Sequence, residues 1–154
     1  RLGTLLCVIT LASIVLAQGS NCVLESTITT PYKVASLSVY DKYFVFGTID
    51  SNNAAFGSWY LYERTNQNGN YTWKVKQNVN GTDSSMRYLG QAVAIWEDIM
   101  IIGNPTTGDG AAEVYRFNTS SSKYTLTYSF VGTGGDYLGR SAAVRGTVGV
   151  IGAQ

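Results

Sequence analysis

From about residue 32 onward, apolar and polar positions mostly alternate in short runs, each bounded by glycine or clusters of Asn, Asp, Ser and Thr. Period-two alternation over four to eight residues is the signature of a half-buried β-strand. The pattern predicts strands at Val34–Val39, Tyr43–Phe46, Ser58–Tyr62 and Thr72–Val79, then at Gln91–Ile95, Ile99–Gly103, Ala111–Phe117 and Tyr124–Val131. Ile99–Gly103 is continuously apolar and reads as an inner strand buried on both faces. In Ala111–Phe117, Ala112, Val114 and Arg116 fall on one face, with Glu113, Tyr115 and Phe117 on the other. Nothing after residue 17 has the 3.6-residue periodicity of an amphipathic helix. The expected class is all-β.

The strands repeat as a group. Tyr88-Leu89-Gly90-Gln91-Ala92-Val93-Ala94 returns 49 residues later as Tyr137-Leu138-Gly139-Arg140-Ser141-Ala142-Ala143. At the same offset Ile101-Ile102-Gly103-Asn104 meets Val150-Ile151-Gly152-Ala153. A more divergent copy, Val39 to Gly47, aligns with Ile95 to Gly103 at an offset of 56. Periods of roughly 40–60 residues with several short strands each are the blade lengths of a β-propeller. The expected architecture is a propeller of four-stranded antiparallel blades: blade 1 over 32–87, blade 2 over 88–136, and the start of a third over 137–154, about two and a half blades. The repeat-defining positions are Gly47, Gly90, Gly103, Gly139 and Gly152. Glycine there permits close backbone approach or a left-handed turn.

These recurring Tyr-Leu-Gly, Ile-Ile-Gly-Asn-Pro and Ala-x-Val-Tyr-x-Phe segments resemble the FG-GAP repeat, which builds the seven-bladed propellers of integrin α-chains. The resemblance covers about residues 32–154. Leu89-Gly90 and Leu138-Gly139 take the Phe-Gly place; Gly103-Asn104-Pro105 and Gly152-Ala153-Gln154 take the Gly-Ala-Pro place, each with one departure. It implies a non-enzymatic adhesion or recognition scaffold. Integrin-type blades also carry a calcium loop between their first two strands. The corresponding turns here, at Asp41, Glu97-Asp98 and Gly146, are too short and too poor in carboxylates for such a loop. Asp50-Ser51-Asn52-Asn53 and Thr107-Gly108-Asp109-Gly110 each offer one carboxylate and read as solvated turns. No cofactor is expected.

The first 17 residues differ in kind. Leu5–Ala17 is an apolar run of 13, short of the roughly 20 that span a bilayer. Val15-Leu16-Ala17 before Gln18 has small residues where signal peptidase requires them. Residues 1–17 read as the remnant of a secretory signal peptide, against a signal anchor or a buried strand. Residues 18–31 form an N-terminal segment, and Cys22–Thr30 within it reads as a ring-closing outer strand of the last blade rather than a flexible leader. Removal of the leader takes Cys7 with it and leaves Cys22, whose disulfide partner is expected outside these residues, in cis or on another molecule. A secreted or cell-surface location follows from the leader. It gives meaning to three Asn-x-Ser/Thr acceptors, Asn70, Asn80 and Asn118, all placed in turns or at strand ends.

Composition removes alternatives. With 11 basic and 10 acidic residues the net charge is +1, which gives no electrostatic case for nucleic acid or an acidic membrane surface. The absence of histidine removes the usual general base and the commonest zinc ligand. The ten carboxylates are scattered through turns, so no catalytic residue is expected. Trp59, Tyr60, Tyr62, Trp73, Tyr115 and Tyr124 read mainly as packing between blades, with a sugar- or peptide-binding platform as the lesser reading. Three functions remain: a recognition propeller binding a protein or carbohydrate ligand, a structural subunit of a glycosylated assembly binding copies of itself, and the accessory propeller of a larger secreted hydrolase.

Overall fold

The computed structural model describes residues 12–18, 21–30, 32–49, 56–106 and 109–154. Two four-stranded antiparallel sheets follow each other along the chain. Sheet 1 is β3 (Lys33–Tyr40), β4 (Tyr43–Ile49), β5 (Ser58–Gln67) and β6 (Asn70–Asn80), in that order. Sheet 2 is β7 (Ala92–Trp96), β8 (Ile99–Asn104), β9 (Ala111–Asn118) and β10 (Lys123–Val131), again in chain order. A third sheet has two strands, β11 (Ser141–Arg145) and β12 (Val148–Gly152). No α-helix occurs among the described residues, and no helix is long and apolar enough to cross a membrane.

All eight strands expected between residues 33 and 131 are present, most running a residue or more beyond the apolar pattern. The largest extension is the β5–β6 ribbon. Its distal half, Glu63–Gln67 against Asn70–Lys74, reaches beyond the apolar pattern of Ser58–Tyr62 and pairs in unbroken register. Asn68-Gly69 closes it with both residues at positive φ, the geometry of a two-residue hairpin turn. β8 is buried at every position, as its unbroken apolar run requires.

The sheets stack face to face. Val45, Trp59 and Leu61 of sheet 1 meet Val93, Ile95, Met100, Ile102, Tyr115 and Tyr124 of sheet 2 in one core. Trp59 is fully buried and meets the Tyr115 ring edge-on at 5.3 Å. The opposite face of sheet 2, through Ala94, Ile99 and Ile101, packs on Ala142, Val144 and Ile151 of the third sheet. Tyr115 and Val114, neighbours on β9, therefore serve different interfaces, as the alternation on that strand predicts.

Four of the repeat glycines, Gly47, Gly90, Gly103 and Gly139, lie where one sheet touches the next, while a Cβ on Gly152 would meet Ser141 of its own sheet. A Cβ on Gly47 would overlap the Gly90 carbonyl, and one on Gly103 the Gly139 carbonyl. Gly90 and Gly139 sit at φ +89° and +95°, which side chains rarely adopt. A second set of recurring glycines was not legible as a repeat. Gly81 donates its N–H to the Gly57 carbonyl (2.8 Å), and Gly132 does the same to Gly110 (3.0 Å).

The N-terminal segment forms a separate hairpin, β1 (Ala12–Gln18) paired with β2 (Asn21–Ile28). The strand expected at Cys22–Thr30 is thus present. Its hydrogen-bonded partner is the end of the expected leader rather than a strand of the four-stranded sheets. Residues 1–11, with Cys7, and the side chain of Cys22 lie outside the described residues, as do the loop from Asp50 to Asn53 and Thr107-Gly108.

Candidate functional site

The loops that lead into β7 and β11 carry the same Tyr-Leu-Gly motif, Gly90 and Gly139 donating their N–H groups to the Gly103 and Gly152 carbonyls, and between them lies a cleft. Tyr88 to Gln91 is a tight turn closed by the Gln91 N–H on the Tyr88 carbonyl (2.8 Å), with Leu89 buried beneath it. Before that turn, Asp83 caps a short 3₁₀ segment (Ser84–Met86), its carboxylate accepting the Ser85 N–H. The Ser85 hydroxyl, and after it the Ser85 N–H, hold the Asp83 carboxyl below its ordinary range.

Asn104 ties this loop to the end of β8. Its side-chain amide donates to the Ser85 carbonyl at 2.7 Å, and the Thr106 hydroxyl lies 2.7 Å from both that carbonyl and Asn104 Oδ1. Asn104 is one of three buried polar residues among those described. A buried amide needs partners, and Ser85 and Thr106 supply them. The tether places Pro105 at the cleft wall.

The cleft has a volume of about 550 Å³ and is lined by Tyr88, Gln91, Pro105, Tyr137, Arg140 and Gln154. Tyr88 and Tyr137 are the same position of successive repeats, and so are Gln91 and Arg140. The Arg140 guanidinium lies 5.9 Å from the centre of the Tyr137 ring, within cation–π range. Tyr137 holds φ +52°, an uncommon backbone state for an aromatic residue. Phenol, amide and guanidinium groups around a half-open cleft are suited to hydrogen bonding and stacking, and none of these six side chains is acidic.

Several carboxylates elsewhere among the described residues are engaged. Glu63 bridges Lys42 (2.6 Å) and Lys76 (2.8 Å). Burial alone would raise its pKa, but the two lysine hydrogen bonds outweigh that and hold it low. Asp98 pairs with Arg116 at 2.8 Å, Glu113 accepts the Tyr115 hydroxyl at 2.7 Å, and Asp109 accepts the Gly135 N–H at 3.0 Å. Burial, then the Glu113 carboxylate, pushes the Tyr115 hydroxyl well above its usual pKa. Among the described residues no three His, Cys, Asp or Glu side chains gather as metal ligands. The loops joining β3 to β4, β7 to β8 and β11 to β12 are two residues long, with Asp41, Glu97 and Gly146 at positive φ.

The residues singled out from the sequence are dispersed. Asn70 sits in the β5–β6 hairpin tip, and Asn118 at the start of the β9–β10 turn, its Oδ1 accepting the Ser120 and Ser121 N–H groups. Asn80 ends β6, its Oδ1 3.4 Å from the Tyr60 hydroxyl. All three are exposed. Trp59, Tyr115 and Tyr124 are buried between sheets, while Tyr60, Tyr62 and Trp73 surround Phe44 and Phe46 on the far face of sheet 1. Neither set forms an open aromatic platform. The cleft residues went unnoticed as a site because their motif reads as repeat punctuation; the signal was polar side chains at equal offset beside the glycines. A scan against protein-family models and a search of curated proteins return no match to this chain.

Proposed function

We propose that the chain belongs to a secreted, non-enzymatic recognition scaffold of the FG-GAP propeller type, and that it takes a protein or carbohydrate ligand in the cleft between successive repeats. The observation that carries this reading is the lining itself. Tyr88 with Gln91 and Tyr137 with Arg140 occupy matched repeat positions and converge on one cavity. Stacked sheets joined in chain order by short connections support the blade reading, and one such scaffold serves many ligands through its loops. The polar, aromatic and cationic lining suits hydrogen-bonded recognition of a sugar or peptide.

Secretion rests on the residue pattern at 1–17, and glycans at Asn70, Asn80 and Asn118 are part of the same proposal. Expression through a eukaryotic secretory pathway tests it: the chain should appear in the medium with a glycosidase-sensitive mass, reduced stepwise by Asn→Gln at each acceptor. The recovered protein is then screened on glycan and peptide arrays. Hits should be lost in Arg140→Ala and Tyr137→Ala while circular dichroism is unchanged. Binding that survives both substitutions, or no binding on either array, overturns the cleft assignment.

A further inference from the structure

A single charged side chain faces the cleft between the loops of successive repeats. Tyr88, Gln91, Pro105, Tyr137 and Gln154 are neutral, and Arg140 brings a guanidinium. Among the described residues Arg140 forms no ion pair, whereas Lys42, Lys76 and Arg116 each meet a carboxylate. Its side-chain neighbour is the Tyr137 ring, 5.9 Å away. The main chain beneath it is pinned. The Arg140 N–H donates to the Gly152 carbonyl at 3.2 Å, beside the Gly139 N–H on the same oxygen at 3.0 Å. A guanidinium presents its five N–H donors in a rigid planar fork that matches the two oxygens of a carboxylate.

The repeats show which residue gives this cleft its charge. Tyr88 and Gln91 correspond to Tyr137 and Arg140 at the 49-residue offset, and to Tyr32 and Ala35 at the 56-residue offset. Tyrosine recurs in all three copies. The residue three places further on runs alanine, glutamine, arginine. The ring therefore belongs to the repeat, and the third position after it belongs to the individual cleft.

The walls favour a sugar over a peptide. Peptides commonly dock by adding a strand to a free sheet edge, by laying a helix in an apolar groove, or by seating prolines among aromatic rings. All six lining residues lie outside the strands, so the cleft offers no sheet edge. Three of the six are amides or a guanidinium, so it is not an apolar groove either. Phenols, amides and a guanidinium around a cleft of about 550 Å³ suit a small ring carrying hydroxyl groups.

We infer that the cleft takes an acidic sugar, a pyranose ring bearing a carboxylate. Arg140 pairs with the carboxylate, the Tyr137 ring packs on the sugar, and the Gln91 and Gln154 amides meet its hydroxyls. This rests on the cleft assignment above and narrows its ligand to one class. Arg140 is then the residue that separates an acidic sugar from a neutral one. Because the cleft is half open, the pairing weakens as salt rises.

Titration calorimetry of the purified chain tests this with glucuronate, galacturonate and N-acetylneuraminate, each as the free acid and as its methyl ester. The ester keeps every ring atom and hydroxyl and removes the charge. At least one acid should bind about tenfold or more tightly than its ester, with the margin shrinking in high salt. Arg140→Gln, which copies the preceding repeat, should bind acid and ester alike. Arg140→Lys should keep part of the preference, since it retains the charge without the fork. Circular dichroism should be unchanged in both variants. Equal affinity for acid and ester, or an acid preference that survives Arg140→Gln, overturns the inference and leaves the cleft assignment standing. So does a cleft, mapped by Tyr137→Ala, that takes only neutral sugars, sulfated sugars or acidic peptides. Absence of binding to any sugar or peptide overturns both.

Discussion

Gly47→Ala isolates the contact on which sheet stacking depends. Gly47 lies on β4 without a positive φ, so alanine meets no backbone strain of its own. The whole cost is steric. The new methyl carbon falls on the Gly90 carbonyl, with the Gly90 Cα also within contact distance. A flexible side chain could swing aside, but here the obstacle is backbone, pinned by the Gly90 N–H on the Gly103 carbonyl (2.9 Å) and by the Ser36 hydroxyl on the Gly90 carbonyl (3.0 Å). Relief requires sheets 1 and 2 to part and to loosen the core around Trp59. Overpacking by one methylene costs about 1–3 kcal/mol even where side chains can adjust, so a loss at or above about 3 kcal/mol is expected. At about 2–4 °C per kcal/mol for a chain of this length this lowers Tm by roughly 10 °C. Gly69→Ala is the control: it has open space around it and only its positive φ to satisfy, at about 1 kcal/mol. Chemical denaturation followed by tryptophan fluorescence gives both values, and the Trp59 emission of Gly47→Ala should shift to the red. Equal losses in the two variants would refute the stacking argument.

The same interface has a polar clamp, in which the Gln77 side chain donates to the Tyr124 carbonyl (2.8 Å) and accepts the Tyr124 N–H (2.9 Å). Gln77→Ala should cost about 1–3 kcal/mol in urea unfolding, since it leaves main-chain groups beside a buried ring without partners. Glu63 provides the pH dependence. Its folded pKa is depressed, so its contribution is full above the unfolded carboxylate pKa and is lost as pH falls through the lower folded value. Tm should therefore decline on acidification below the ordinary carboxylate range, and Glu63→Gln should flatten that part of the decline; thermal melts across the acid range measure both.

The strands and their order were readable because the inner strands carry unbroken apolar runs and the turns carry glycine and polar clusters. Burial writes itself into residue choice, and solvated pairing does not. Glu63–Gln67 extends β5 with side chains that say nothing of a strand, and only the Asn68-Gly69 turn reveals the ribbon. The run Leu5–Ala17 reads as a leader first and as strand material second, because a hydrophobic stretch is required by both; the pairing of Ala12–Gln18 with β2 is not encoded in that run alone. Asn104 looked like a worn position of a repeat motif. Its amide instead holds the loop that shapes the cleft, a contact between residues 19 apart that no local pattern announces.

The repeat glycines join the two properties that matter most. Gly90 lies between Tyr88 and Gln91, and Gly139 between Tyr137 and Arg140, so the residues that let one sheet approach the next are flanked by those that line the cleft. Close stacking and cleft geometry are then one structural variable. Widening the gap between sheets would move Tyr88 relative to its own β7 very little, but it would displace the loop of one repeat from the Pro105 wall and from the loop of the next. A substitution such as Gly139→Ala, which meets the Ala111 carbonyl and a φ of +95°, should therefore disturb ligand binding and stability together. Arg140→Ala, on the exposed side of the same turn, should disturb binding alone. The contrast between neighbouring positions separates a cleft that is built by the stacking from one that merely lies beside it.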